Sequence, residues 1–124
     1  MNPVYILSAV RTAIGSFGGS LKECAPIDLG IIAAKEAIAR SGLPPKQIGH
    51  GVFGNVIHTE PRDMYISRCI TIGAGMEDSA PALTVNRLCG SGLQAVVSAT
   101  QLIQLLTQVQ SIEVVAHLCL LANS

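Results

Sequence analysis

Cys89, followed by Gly90, Ser91 and Gly92, is the arrangement in this sequence best suited to covalent chemistry. Ala82 to Val85 is of strand type, and beyond Gly92 apolar residues recur at helical spacing, so the thiol falls on a sharp turn from strand into helix. At a helix N-terminus unpaired N–H groups and the macrodipole favour a thiolate. The glycines permit a strained turn and let a substrate approach the backbone closely. Backbone N–H groups there are placed to hold an oxyanion, much as in the nucleophile elbow of α/β hydrolases. A thiolate exchanges readily with a thioester, sulfur for sulfur, so acyl transfer is the chemistry this pattern fits. On chemistry alone the same residues read equally well as a tight strand–helix connection with a buried, inert cysteine.

The other cysteines and the histidines offer less. Cys24, Cys69 and Cys119 form no C-x-x-C pair, and His50, His58 and His117 stand at no metal-ligand spacing from them or from one another. Neither a disulfide framework nor a metal site is expected. The three cysteines read as small structural hydrophobes and the histidines as surface or structural residues.

The elements that must carry Cys89 can be read from apolar rhythm and breakers. Val4 to Ala9 reads as a short buried strand, ended by Gly15, Gly18 and Gly19. Asp28 marks the start of an amphipathic helix through Leu29, Ile32, Ala33, Ala37 and Ile38, with Lys35, Glu36 and Arg40 on its other side, closed by Gly42-Leu43-Pro44-Pro45. Ile48 to Val56 is a second strand, and Thr59 to Asp63 turns into a helix ending near Gly73-Ala74-Gly75. A third strand spans Ala82 to Val85, and the helix after Cys89 runs through Leu93, Val96, Val97, Ala99, Leu102, Ile103 and Leu106. Ile112 to Leu121 is compatible with a last strand. Alternating strands and helices predict an α/β fold, a mixed but mostly parallel sheet with helices on both faces. Val4–Ala9, Gly51–Val56 and Ala82–Val85 are expected as neighbours in it.

Composition narrows the function. The chain has 124 residues, 49% of them apolar and 13% charged, enough for a real core and too apolar for disorder. Eight basic and eight acidic residues cancel, leaving no electrostatic footprint for nucleic acid or an anionic membrane. The uncharged stretch Leu88 to Ile112 is interrupted by Gly, Ser, Thr and Gln and does not read as a membrane span. The first residues carry no export signature, so a cytoplasmic protein is the expectation.

Two segments resemble a known family. Val10 to Lys22 (V-R-T-A-I-G-S-F-G-G-S-L-K) is similar to the opening signature of thiolases, and Asn86 to Ala95 (N-R-L-C-G-S-G-L-Q-A) to the segment around their acylated cysteine. Gly54 to Tyr65 and Ala80 to Asn86 resemble most closely the broad-specificity β-ketothiolases of polyhydroxyalkanoate-making bacteria. The resemblance implies the N-terminal part of a thiolase-like fold and a ping-pong Claisen condensation or thiolytic cleavage of β-ketoacyl-CoA. Cys89 would hold the acyl group as a thioester, its own N–H helping to stabilise the oxyanion. Acyl-CoA and coenzyme A are then substrates, with no further cofactor, and the intact family forms homo-oligomers. The family's remaining acid–base residues lie in N-E-A-F/H, G-H-P and C-x-G-G-G segments, none of which His50, His58 or His117 matches.

After about Gln101 the likeness stops. All twelve glycines fall at or before Gly92, and Glu113 is the only charged residue after Arg87. The expected organisation is therefore a thiolase-like part over 1–101 and a divergent tail over 102–124, from a shifted reading frame or genuine divergence. Two functions compete: a thiolase-type acyltransferase acting through Cys89, and a non-catalytic thiolase-like fragment or interaction module.

Overall fold

The computed structural model describes residues 3–105 and, as backbone, residues 113–120. Helix α1 (Pro26–Ser41) begins one turn earlier than Asp28 suggests: Ala25 takes the cap position and Pro26 the first helical one. Proline's fixed φ and missing N–H suit that place, and Asp28 instead sets its charge in the first turn against the macrodipole. Gly42, at φ 77°, ends the helix in the left-handed conformation. A short 3₁₀ turn, Pro45–Gln47, leads into strand β1 (Ile48–Asn55).

A second 3₁₀ turn, Pro61–Tyr65, opens helix α2 (Ile66–Gly73). Asp63, fully buried, pins this entry by accepting from Thr59 N–H (2.7 Å), Thr59 Oγ1–H (3.0 Å) and Glu60 N–H (3.1 Å). At the far end Met76 N–H donates to Thr71 O and Gly75 N–H to Ile72 O, with Gly75 at φ 88°, which closes the helix in a Schellman arrangement. Strand β2 (Ala82–Val85), helix α3 (Ser91–Leu105) and strand β3 (Glu113–Leu120) follow.

Strand β1 is central, with β2 and β3 on its two edges, and both pairings are parallel. Phe53 points to one face, into a core of Ile27, Ala34, Ile38, Ile66, Ile70 and Met76 from α1, α2 and the loop after α2. Val52 points to the other, against Ala95 and Ala99 of α3, with Val85 and Leu102 beside them. Helices thus cover both faces, as expected, and every pairing among the described strands is parallel.

One expected element is absent. Val4–Ala9 forms no strand, and Tyr5, Ile6 and Leu7 are 75%, 80% and 57% exposed. A strand exists only where it pairs with another, and Val4–Ala9 pairs neither with β1, occupied on both sides, nor with the outer edge of β2 or β3. The segment instead reaches α1, where Ser8 Oγ–H donates to Ala37 O at 2.7 Å. The expected tail boundary at residue 101 falls inside α3, which continues to Leu105. The side chains of His117 and Cys119, like Ile112 and Leu121 at the ends of the last expected strand, lie outside the described residues.

Candidate active site

Cys89 is exposed, on the connection from β2 to α3 beyond the C-terminal end of the parallel strands. That is the end at which open α/β sheets form their ligand crevices. The helix begins two residues later. Gln94 N–H bonds to Gly90 O at 2.9 Å, which makes Gly90 the cap and leaves Cys89 just outside the first turn.

The turn is held from below by Ser91. Its hydroxyl, fully buried, accepts from Arg87 N–H at 2.8 Å and donates to Leu88 O at 2.6 Å. Gly90 N–H and Ser91 N–H close on Arg87 O and Leu88 O, both at 3.0 Å, and Asn86 Oδ1 accepts from Leu88 N–H. These bonds brace Leu88 at φ 48°, the one non-glycine residue with positive φ among those described. A leucine held in the left-handed region immediately before the thiol costs of order 1–3 kcal/mol, a strain typical of functional turns. Neither the role of Ser91 nor the strain at Leu88 was legible from residue types. The Cys-Gly-Ser-Gly run pointed to glycine as the strained position, yet Gly90 and Gly92 have ordinary φ.

Gly54 explains how the turn meets the sheet. A Cβ there would lie 2.7 Å from the Ser91 carbonyl carbon and 2.9 Å from its Cβ. Only a glycine in β1 lets the start of α3 sit so close. Asn86 adds a second tie, Nδ2–H to Val56 O at 3.2 Å.

Beside the thiol turn, Arg87, Gly90, Leu93, Gln94 and Val97 line a shallow groove of about 430 Å³. Arg87 is steadied there by donation to Gln94 Oε1 at 2.7 Å. A larger groove of about 1170 Å³ lies elsewhere, between residues 9–13 and α1. It is unconnected with Cys89.

The remaining candidates scatter. Cys69 is half-buried and packs on the α1–α2 core, as expected of a structural cysteine. Cys24, expected to be buried, is exposed in the turn before α1, where the glycine-rich approach leaves nothing to cover it. His58 is exposed; His50 lies in β1 with Nε2 buried and unpartnered, and its pKa is lowered by that burial. Among the described residues no group of three or more His, Cys, Asp or Glu is placed to hold a metal, and no helix is long and apolar enough to cross a membrane.

The thiolase N-terminal domain model matches residues 4–115, and the chain belongs to that family. It is 60% identical over 102 residues to the beta-ketothiolase BktB of Cupriavidus necator, covering 82% of this chain and 26% of that protein. An acetyl-CoA acetyltransferase of Clostridioides difficile is 45% identical over 95 residues, covering 77% of this chain and 88% of the other. Among solved structures, the Acat5 thiolase of Ascaris suum in complex with coenzyme A superposes with a TM-score of 0.77 at 40% identity, over 82% of this chain and 26% of that one. This chain thus spans about a quarter of the length of the C. necator and A. suum proteins.

Proposed function

We propose that this chain carries the nucleophile of thiolase-type acyl transfer, with Cys89 as the acyl acceptor and acyl-CoA as the donor. The observation that carries the reading is the exposed Cys89 on its braced turn, in a chain 60% identical to a β-ketothiolase. The Cys89 sulfur attacks the thioester carbonyl, and the C–S bond to coenzyme A breaks. Coenzyme A leaves as its thiol, with the proton first held by Cys89. We assign the Cys89 N–H as one donor to the oxyanion formed on the way, because the Gly90 and Ser91 N–H groups are already bound within the turn.

Condensation also requires a base to take a proton from the carbon of one acyl group and an acid to serve the leaving thiol. Among the described residues the hydrogen bonds around Cys89 involve Asn86, Arg87, Leu88, Gly90, Ser91 and Gln94, and none is a histidine or carboxylate. That observation favours a second reading, in which the chain is a thiolase-like module that cannot complete turnover. General acid–base help is worth about 10²–10⁴-fold for each use, so this chain alone should acylate slowly and once.

Incubation with acetoacetyl-CoA and coenzyme A, followed by intact-mass and peptide analysis, tests both readings. The expected result is one acyl group on the Cys89 peptide, absent in Cys89→Ala, without sustained acetyl-CoA formation. Equal acylation of Cys24 would overturn the assignment of the nucleophile. Sustained turnover lost in Cys89→Ala would remove the second reading.

A further inference from the structure

Toward the C-terminal end of the strands, Asn55 Nδ2, Asn55 Oδ1 and Asp63 Oδ1 are buried with no hydrogen-bond partner among the described residues. Both residues are 0% exposed, so nothing docked on the surface reaches them. The two side chains face each other. Gly51 and Phe53 turn toward α2, since a Cβ on Gly51 would meet Thr71 and Phe53 shares a core with Ile66 and Ile70. Asn55, two residues further along β1, takes the same face. Helix α2 runs back alongside: Thr71 stands level with Gly51. Ser67 Oγ–H donates to Leu83 O at 2.9 Å and its oxygen accepts from Thr84 Oγ1–H at 2.7 Å, level with Val52 and Phe53. Four helical residues rise about 6 Å and two strand residues about 6.6 Å, so the next step back from Thr71 and Ser67 sets Asp63 beside Asn55.

We propose that Asn55 and Asp63 enclose an internal water molecule, and that this polar bridge positions the Cys89 turn. Water is the ligand that serves all three atoms, because it accepts from the Asn55 amide and donates to either oxygen. Buried polar groups left without such a partner are costly. Asp63 Oδ2 is already engaged by Thr59 N–H, Thr59 Oγ1–H and Glu60 N–H. The bridge therefore joins the two ends of the connection between β1 and α2, Asn55 at one and Asp63 at the other. Within that connection Val56 O accepts from Asn86 Nδ2–H at 3.2 Å, and Asn86 Oδ1 accepts from Leu88 N–H at 3.0 Å. Leu88 is the strained residue before Cys89. Asn55 is thus a positioning residue that acts through Val56 and Asn86. Its effect on acylation rests on the reading of Cys89 as nucleophile; the bridge itself does not.

Water–protein nuclear Overhauser spectroscopy on the unaltered full chain tests the bridge without any variant. A long-lived water contact at the Asn55 side-chain amide is expected. The sign of a stability change is a second test. Deleting a bridged amide in Asn55→Leu should lower the thermal midpoint by about 4–8 °C, whereas replacing an unsatisfied one by an apolar group of similar shape would raise it. Asn55→Asp sets a second carboxylate beside Asp63. It should be less stable than the parent at neutral pH, and the gap should narrow as the pH falls and one carboxylate takes up a proton. Alkylation of Cys89 by iodoacetamide, which needs no acyl-transfer activity, should slow in Asn55→Leu but not in Ile70→Val, which loosens the same core away from the bridge. Absence of the water contact, a raised midpoint or a pH-independent deficit in Asn55→Asp would overturn the bridge. Equal alkylation of the parent and Asn55→Leu would overturn the positioning role. A parent that is alkylated at Cys89 but never acylated would remove only the nucleophile reading.

Discussion

The two sides of the sheet are built on different principles. On the α1–α2 side large apolar residues interlock: Ile27, Ile38, Phe53, Ile66, Ile70 and Met76 are almost wholly buried, and the outside is charged. On the α3 side the buried residues are small, Ser91, Gly92, Ala95 and Ala99 over Val52 and Gly54, and the outside is uncharged. Small residues give little transfer energy but allow close approach. The first side is suited to stability. The second is suited to positioning, because it brings the Cys89 turn down onto the end of β1.

The largest expected difference is in core truncation. Ile38→Ala should cost about 2–5 kcal/mol in urea unfolding, whereas Ala99→Gly, which removes one methyl group from a helix, should cost about 1 kcal/mol. Comparable losses at both would break the division between the sides.

Next is Gly54→Ala. The new methyl group meets the Ser91 backbone, which cannot turn aside as a side chain can, so about 1–3 kcal/mol of overpacking is expected together with slower acylation of Cys89. Gly51→Ala meets the Thr71 side chain on the opposite face. It should destabilise the fold while leaving the acylation rate of the folded protein unchanged. If both variants slow acylation alike, the site is not positioned from the α3 side in particular.

Ser91→Ala comes third. It leaves Arg87 N–H and Leu88 O without their hydroxyl partner, a loss of about 1–2 kcal/mol. Because Leu88 is then free to relax from φ 48°, Cys89 acylation should fall by more than the stability does. Ser91→Thr, which keeps the hydroxyl, measures how much of the effect is the hydrogen bond.

The smallest effect concerns pH. Burial lowers the His50 pKa below 6.5, so the folded state resists the proton that the unfolded chain accepts. Its contribution is complete above about pH 6.5 and diminishes as the pH falls toward the folded value. Thermal midpoints measured between neutral and mildly acidic pH should decline, and His50→Gln should flatten the part of the decline due to this residue. An unchanged slope would show that His50 is solvated when folded.

What the sequence determined by itself is what closes within a few residues. Gly42 ended α1 and Gly75 ended α2 because a left-handed residue satisfies carbonyls of the preceding turn. The glycines around Cys89 placed the start of α3 within two residues. Only the tertiary structure decided matters that need a distant partner. Val4–Ala9 has strand-like residues, but a strand exists only where another pairs with it, and this segment lies against α1 instead of at an edge of the sheet. Cys24 is exposed because nothing packs over it, which its residue type could not reveal. Gly54 and Ser91 lie far apart in the chain and matter only because β1 and α3 touch there. The place of Cys89 just before α3 was thus local and readable, while the brace that holds the thiol in place came from the packing of helix on sheet.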